Sequence, residues 1–435
     1  MFGLFTYCAI LFALCVGVWF RPAAGVAAVL CLYGLKQWGQ SSSSFVVQHG
    51  QFTNYAIAII ALIGLIRAAF KRSCVFCQIP TATLLIAALL LYALLSVLWA
   101  PDLEASLQQW VSQGPYIITI TLLAPLLLSD FEDARSAFSW TAFVGAAICI
   151  LALLFGKWGF RGLLIYANAL EAETNPLALS SLAGTVFIIS ALSLGRPSSI
   201  FRRIFSMVFI PITLAVILRS GSRGQLIAGV AAVMISLPIA FRMRNIRSFG
   251  GLILATTIIV GLGAWGASLV KIDASRWEST DSQSAVSGRI ENARHLLGAA
   301  TSNASTIIFG LGNSSSFQIL GIYPHITGLE VIAEEGLVGT ILYFGIILVA
   351  ARSIKRITNR AELTDSNRNV LAILTGLFVF EFILSWKQGS LLSSVYVFAY
   401  AITLGRLEDF VTVRSALVRE QTVTPVSVRF PNLLR

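Results

Sequence analysis

Apolar runs of membrane length recur along the whole chain and constrain its fold more than any other feature. A helix that crosses a bilayer needs about 20 mostly apolar residues, each adding about 1.5 Å. Twelve runs approach that length. They lie at 2–20, 53–66, 82–99, 115–128, 137–156, 176–194, 205–218, 224–240, 249–270, 331–350, 369–384 and 389–405. The pattern predicts an all-α, polytopic integral membrane protein with about 12 transmembrane helices.

The composition excludes a soluble protein of this length. Of the 435 residues, 57% are hydrophobic and only 12% are charged, whereas soluble domains carry roughly 25% charged residues. Basic residues outnumber acidic ones, 31 to 20. Because the excess lies in short loops between apolar runs, we expect it to set membrane topology and not to bind nucleic acid.

Lysine and arginine collect on alternate loops, which predicts the orientation of the bundle. Five loops hold 15 of these residues, and the six intervening loops hold 10 over a much greater length. The five basic loops, which we expect in the cytoplasm, are 67–80, 129–136, 195–204, 241–248 and 351–368. A doubtful thirteenth apolar segment lies at 22–35. Twelve spans would place both ends of the chain in the cytoplasm, and a thirteenth would place the N terminus outside.

This pattern divides the chain into four parts. Residues 1–270 are predicted to form transmembrane helices 1–9, and 271–328 a large outer loop that contains short helices. Residues 329–405 are predicted to form helices 10–12, and 406–435 a cytoplasmic tail. A loop as long as 271–328 is uncommon unless it is functional or disordered.

The outer loop contains a predicted amphipathic helix, RIENARHLLGAA, directly after Gly288. Ile290, Ala293, Leu296 and Leu297 fall on one face of it, so we expect the helix to lie along the outer membrane boundary. The later IFGLGNSSS is typical of a glycine-containing turn. Its GxG spacing is only a weak phosphate-binding signal.

Arginines mark two places on the outer side. Arg219 and Arg223 flank a short loop between apolar runs. Snorkelling to the interface would explain them, but outer loops are usually poor in arginine, which favours an anionic partner. The SGRIENARH segment carries Arg289 and Arg294, which we regard as candidates for substrate binding, although a solvated helix face also explains them.

The stretch YPHITGLEVIAEEGLVG, at 323–339, places a histidine and three glutamates before an apolar run. His325 stands just before the expected helix, where an imidazole can exchange a proton near neutral pH. Glu334 and Glu335 are interpreted as first-turn carboxylates that complement the helix dipole. Glu330 is a candidate for orienting His325.

Arginines and a histidine on the outer face predict chemistry on a phosphate leaving group. Arginine makes bidentate contacts to phosphate oxygens, and neutral histidine accepts a proton from a hydroxyl. The sequence contains no Walker loop, HExxH, GxSxG or acidic metal cluster, which favours a reaction without metal or cofactor. Cys74 and Cys77 have CxxC spacing without a second pair, and we interpret it as incidental.

The chain resembles the O-antigen ligase and O-antigen polymerase superfamily of bacterial envelope glycosyltransferases. Ligases of that family carry a histidine, a small polar residue, nine residues and then GxxG. His325, Gly336 and Gly339 reproduce this spacing, with Ile326 at the small polar position. The SRG arginine of the family corresponds to Arg223, and the arginine that opens its outer-loop helix corresponds to Arg289, which completes the motif.

The resemblance implies a fold of about twelve spans in the bacterial inner membrane with a periplasmic active site. It implies glycosyl transfer from an undecaprenyl-pyrophosphate-linked glycan to a lipid-linked acceptor, without metal or nucleotide. Arg223 and Arg289 would hold the pyrophosphate, with Arg219 as a weaker third contact. His325 would accept the proton of the acceptor hydroxyl in an inverting displacement.

Three alternatives remain open at the level of sequence. A polymerase joins lipid-linked repeats and would work with a flippase and a chain-length regulator, whereas a ligase transfers to a lipid A core. Ile326 favours the polymerase. An anion or solute transporter would also place cations at span ends, but the interrupted, mirrored helices of transporter sites are missing from the hydropathy pattern. A membrane scaffold would tolerate replacement of the outer loop.

Overall fold

The computed structural model describes residues 2–71, 79–159, 162–165, 177–194, 200–241, 279–360 and 363–423, with the single residues 250 and 261. This part of the chain is almost entirely helical, as predicted. The predicted span at 249–270 and the CxxC cysteines fall outside the described residues, apart from Gly250 and Gly261.

The helices are numbered here in chain order. They are α1 (Phe2–Phe20), α2 (Ala24–Ser42), α3 (Ser44–Gln48), α4 (Phe52–Lys71), α5 (Thr81–Ser96), α6 (Leu103–Tyr116), α7 (Ala124–Leu126), α8 (Phe131–Phe155), α9 (Leu177–Ser193), α10 (Ile200–Arg219), α11 (Arg223–Phe241), α12 (Ser279–Ala300), α13 (Ala304–Phe309), α14 (Ser315–Leu320), α15 (Thr327–Glu334), α16 (Gly336–Thr358), α17 (Asp365–Gln388) and α18 (Val395–Val423). A 3₁₀ turn at Val97–Trp99 follows α5, and a π-helical segment at Ile117–Leu123 joins α6 to α7. Strands β1 (Trp158–Gly159) and β2 (Gly162–Leu163) form an antiparallel pair.

Seven helices among the described residues are long and apolar enough to cross a membrane. They are Phe2–Phe20, Phe52–Phe70, Thr81–Trp99, Phe131–Phe155, Arg223–Phe241, Gly336–Thr358 and Asp365–Gln388. The protein is therefore an all-α membrane protein, and the count of twelve spans stays a prediction. Helix α17 lies at the centre, because 72% of its apolar window is buried, more than in any of the other six.

Contacts between helix ends define two ends of the bundle. At one end Arg21 pairs with Glu132 at 3.6 Å, and the guanidinium of Arg135 donates to Asn367 Oδ1 at 3.1 Å. We call this the basic end, since Arg352, Lys355 and Arg356 near the end of α16 also lie there. At the opposite end, the loop end, Gln225 donates to Gln388 Oε1 at 3.1 Å, which joins the start of α11 to the end of α17.

The doubtful apolar segment at 22–35 belongs to α2, a separate helix of 19 residues. Gly3 lies against Ser42, and the rings of Phe2 and Phe155 are 4.8 Å apart. These contacts place the start of α1 beside the ends of α2 and α8, so that α1 and α2 run antiparallel. The start of α1 therefore lies at the loop end, and the number of membrane spans stays a prediction.

The segment from α12 to α15 packs on the loop end. Tyr92 Oη donates to Phe309 O at 2.8 Å, and Ser106 Oγ donates to Asn313 O at 2.9 Å. The short helices between 304 and 334 are thus anchored to the ends of α5 and α6. We call the described segment 279–334, which packs on the loop end, the cap.

Three predicted boundaries differ from the structure. The run at 331–350 is divided, because α15 ends at Glu334 and α16 begins at Gly336. Helix α12 starts at Ser279, before the apolar face that marked its predicted beginning. The predicted tail at 406–435 begins inside α18, which continues to Val423.

Candidate functional site

His325 occupies a strained backbone position between α14 and α15. Its φ is 56°, and only Ser314 shares a positive φ among the other described non-glycine residues. Such left-handed geometry costs about 1 to 3 kcal/mol and persists only where the surrounding structure enforces it. The side chain is exposed, and no hydrogen bond to it occurs among the described residues. The fold therefore holds an imidazole available to an external partner.

Arg289 acts on His325 electrostatically. Surrounding protein atoms partly desolvate the exposed imidazole of His325 and lower its pKa below the ordinary value of 6.5, and the positive charge of Arg289 lowers it further. The imidazole is consequently neutral at pH 7 and able to accept a proton. The catalytic partnership of this cation and this base stays a prediction.

The register of α12 determines the side of the helix on which Arg289 lies. Leu296 and Ala300 are buried on the same helical face as Arg289, seven and eleven residues further on, spacings that return to one side of a helix. They pack with Ala333 of α15 in a small apolar cluster. That anchoring places Arg289 on the side of α12 that packs on α15.

Other residues of α12 do not follow the predicted arrangement. Leu296 is buried against the cap, while Ile290 and Leu297 are exposed by 49% and 37%. The helix is thus held by packing on α14 and α15, and not only by a membrane-facing apolar stripe. Arg294 is exposed about 140° around the helix from Arg289, so the structure does not bring these two arginines together.

Arg219 and Arg223 lie at the junction of α10 and α11. The guanidinium of Arg219 stacks over the Trp158 ring at 4.9 Å, a cation–π contact that occupies one face of the group. Arg223 is the first residue of α11 and is half-buried. Arg219 therefore has a protein partner that accounts for its position, and its role as a weaker contact to the diphosphate stays a prediction.

The end of α17 connects the Arg223 region with the His325 region. A Cβ on Gly224 would lie 2.2 Å from Lys387 Nζ, which shows how closely that side chain crosses the start of α11. The Trp386 ring lies against Gly328, three residues after His325. Arg223 and His325 are thus on elements that contact the same helix end. Their joint grip on one diphosphate stays a prediction.

Glu334 is fully buried and serves the fold. Its carboxylate accepts hydrogen bonds from Ser314 N at 2.7 Å, from Ser316 N at 3.0 Å and from the Ser316 hydroxyl. Burial raises its pKa to about 7, and the donors from Ser316 and Ser314 limit that rise. The interpretation of Glu334 as a helix-dipole carboxylate is wrong, because it ends its helix and binds a distant loop.

Glu330 and Glu335 have structural partners too. Glu330 Oε1 accepts from Leu391 N at 3.0 Å, and Glu335 Oε1 accepts from Asn313 Nδ2 at 3.0 Å. Burial raises the pKa of Glu335 to about 8 and that of Glu330 well above its ordinary range. No hydrogen bond joins Glu330 to His325 within the described residues. Glu330 therefore fixes the loop before α18, and its predicted orienting role has no support.

The glycines of the IFGLGNSSS turn are explained by backbone packing. Gly310 has φ 81°, and a Cβ there would lie 2.0 Å from Glu334 O. Gly312 N donates to Glu334 O at 2.9 Å. Backbone N–H groups of this turn that could bind a phosphate instead donate to Glu334, from Gly312 to its carbonyl oxygen and from Ser314 and Ser316 to its carboxylate. We call the turn the Glu334 cradle.

The two glycines of the GxxG motif have steric reasons of the same kind. Gly336 has φ 60°, and a Cβ there would lie 2.4 Å from Gly310 N. A Cβ on Gly339 would lie 2.2 Å from the Glu335 side chain. The two glycines therefore allow α16 to begin close to the Glu334 cradle. They stabilise the packed segment that holds His325 and take no direct part in the chemistry.

Two residues of this region were not predicted from the sequence to belong to the site. Lys387 adds a cation beside the start of α11, and its only signal was a lone lysine in a very short outer loop. Tyr323 lies two residues before His325 and packs on Phe317 at 5.0 Å, and its hydroxyl has no hydrogen-bond partner in the described part of the chain. Burial raises its pKa to about 12, so it would act as a neutral hydrogen-bonding group.

Neither a comparison with protein-family models nor a search of curated proteins gives a match to this chain. The likeness to the O-antigen ligase and polymerase superfamily therefore rests on motif residues alone. The motif centres on His325 and Arg289, and the positive charge of Arg289 lowers the pKa of the His325 imidazole.

Proposed function

We propose that the chain is a bacterial inner-membrane glycosyltransferase that polymerises O-antigen or exopolysaccharide repeats on its periplasmic face. It would move a glycan from undecaprenyl pyrophosphate to a hydroxyl of a second lipid-linked sugar. The observation that carries this proposal is the exposed, strained His325 imidazole, kept neutral beside the Arg289 cation. A neutral base next to a fixed cation suits deprotonation of an alcohol near a departing phosphate.

The reaction would be a single displacement. The acceptor oxygen forms the new bond to the anomeric carbon while His325 takes its proton. The bond from the anomeric carbon to the pyrophosphate oxygen breaks, and undecaprenyl pyrophosphate leaves with the electron pair. Attack from the face opposite the leaving group inverts the anomeric configuration. Positioned general bases of this kind typically contribute about 100 to 10,000-fold in rate.

Cations at the loop end would stabilise the charge that develops on the leaving group. Negative charge grows on the pyrophosphate as the bond breaks, so fixed cations favour the transition state over the ground state. Arg289 and Arg223 take this role, and Lys387 beside Gly224 joins them. Arg219, already stacked on Trp158, contributes less. Arg294 has no role in the chemistry, since it lies on the other side of α12.

The acceptor would distinguish a polymerase from a ligase. Ile326 replaces the small polar residue of ligases with an apolar side chain next to the base, which favours the polymerase. Purified protein is incubated with a lipid-linked donor, using either a lipid-linked repeat or a lipid A core as acceptor. We expect longer glycans on the lipid-linked repeat, with chelator present throughout. Transfer only to the core would make the protein a ligase.

The same preparation tests the transporter alternative. Protein reconstituted in liposomes is supplied with labelled anions or sugars, and uptake is measured beside glycan transfer. We expect transfer without uptake. Solute uptake in the absence of any glycan product would overturn the proposed function.

A further inference from the structure

We propose that the bundle binds one anionic glycerophospholipid in a cleft near the basic end, far from the His325 region. The cleft has a volume of about 290 Å³ and lies between α8, α9, α10 and α17. Phe143, which lines it, is 59% exposed on the outer surface of the bundle. The cleft therefore opens sideways, where the surrounding solvent is lipid.

Polar and apolar groups are arranged along the cleft as they are along a lipid. Arg135 and Asn369 line the part nearest the basic end, while Phe143 and Phe209 line the deeper part. Arg135 and Phe143 are eight residues apart on α8, a rise of about 12 Å. A ligand that fits must be anionic at one end and hydrocarbon at the other.

Two buried polar groups in the cleft lack partners among the described residues. Arg135 Nε is buried without a hydrogen bond, although its terminal nitrogen donates to Asn367. Ser190 is 2% exposed, and its hydroxyl has no partner. Unpaired buried donors are costly, so each points to a missing acceptor. A lipid phosphate would satisfy Arg135, and an ester carbonyl below it would satisfy Ser190.

Glu132 and Asp133, the neighbouring acids on α8, have partners other than Arg135. Glu132 pairs with Arg21 at 3.6 Å, and Asp133 Oδ2 accepts from Ser129 N at 3.2 Å. Basic pockets between helices on the cytoplasmic side are typical sites for anionic headgroups. The Ser190 hydroxyl favours a glycerophospholipid over a polyprenyl phosphate, which carries no acceptor below its phosphate.

The test is native mass spectrometry of the full chain in detergent, titrated separately with phosphatidylglycerol, phosphatidylcholine, polyprenyl phosphate and inorganic phosphate. We expect one phosphatidylglycerol molecule to bind tightly to each protein, and the other three compounds to bind more weakly. Arg135→Ala should weaken phosphatidylglycerol binding about 10 to 100-fold, because it removes a hydrogen bond from a charged group. Ser190→Ala should weaken it about 2 to 10-fold. Arg352→Ala, which removes an exposed charge at the same end, should leave it unchanged.

A second variant keeps the test decisive if Arg135→Ala does not fold. Ser206→Trp fills the cleft without removing a charge, and we expect it to abolish tight binding. Wild-type affinity in a folded Arg135→Ala or Ser206→Trp protein would overturn the proposal. Equal binding of phosphatidylglycerol and inorganic phosphate would overturn it as well, since the shared phosphate alone would then explain the site.

Discussion

Two parts of the stretch at 323–339 carry ionisable groups in opposite settings. His325 is exposed, strained and without a hydrogen-bond partner among the described residues, whereas Glu334 is buried and accepts hydrogen bonds from Ser314 and Ser316. The first setting costs stability locally and leaves a reactive group free. The second organises the loop that holds the first. Within one segment, the group without a hydrogen-bond partner among the described residues, His325, is the one available for chemistry. The fully hydrogen-bonded group, Glu334, stabilises the fold.

The comparison is tested most strongly by His325→Ala. We expect glycan transfer to fall about 100 to 10,000-fold, because the general base is lost. The thermal unfolding midpoint should stay within error of the wild type, since the imidazole makes no hydrogen bond in the described part of the chain. Initial rates and unfolding in detergent measure the two effects. A clearly lower unfolding midpoint in the variant would show that His325 stabilises the fold instead.

The two arginines of α12 provide a matched pair. Arg289→Ala should lower the rate about 100 to 1000-fold, the usual result of losing one group that stabilises developing negative charge. Arg294→Ala removes the same charge from the other side of the helix and should change the rate less than about twofold. Comparable losses in both variants would show that net charge, and not the position beside His325, is what matters.

Glu334→Gln tests the architectural half. The amide nitrogen of glutamine would face a backbone donor of Ser314 or Ser316, so we expect a loss of about 1 to 3 kcal/mol in stability. Glu330→Gln is the control, because Glu330 Oε2 has no partner among the residues that the structure describes, and an amide nitrogen there breaks none of their hydrogen bonds. Unfolding midpoints of the two variants give the comparison. Equal stability would argue against the cradle.

The smallest expected effect concerns backbone strain at His325. His325→Gly and His325→Ala both lack the imidazole, but only alanine keeps the penalty for positive φ, about 1 to 2 kcal/mol. The glycine variant should therefore unfold at a higher temperature than the alanine variant. If the order were reversed, the left-handed geometry of this residue would not be a source of strain.

Hydropathy predicted most helices because bilayer thickness fixes their length. The hydropathy pattern did not predict the helix break at Glu335 and Gly336, where α15 and α16 meet. The break depends on backbone packing between Gly336 and Gly310, twenty-six residues apart in sequence, and an apolar pattern carries no such information. The polar first half of α12 was missed for a similar reason, since it lacks the apolar face that marks a helix.

The site residues were predictable to different degrees. His325 and Arg289 stood out because charged or titratable groups are rare next to apolar runs, and in the structure the Arg289 charge lowers the His325 pKa. The role of Glu334 depends on Ser314 and Ser316, which are about twenty residues distant. Long-range partners of this kind cannot be read from local spacing. Lys387 was overlooked because its neighbour, Gly224, lies far away in sequence.

The central claim is that neutral His325, poised by Arg289, is the base for glycan transfer. The most direct measurement is the dependence of kcat/KM on pH for the wild type and His325→Ala. Since burial and Arg289 lower the His325 pKa below 6.5, the wild-type rate should rise with pH and level off before neutrality. The rise should vanish in His325→Ala. An unchanged rise in that variant would contradict the account.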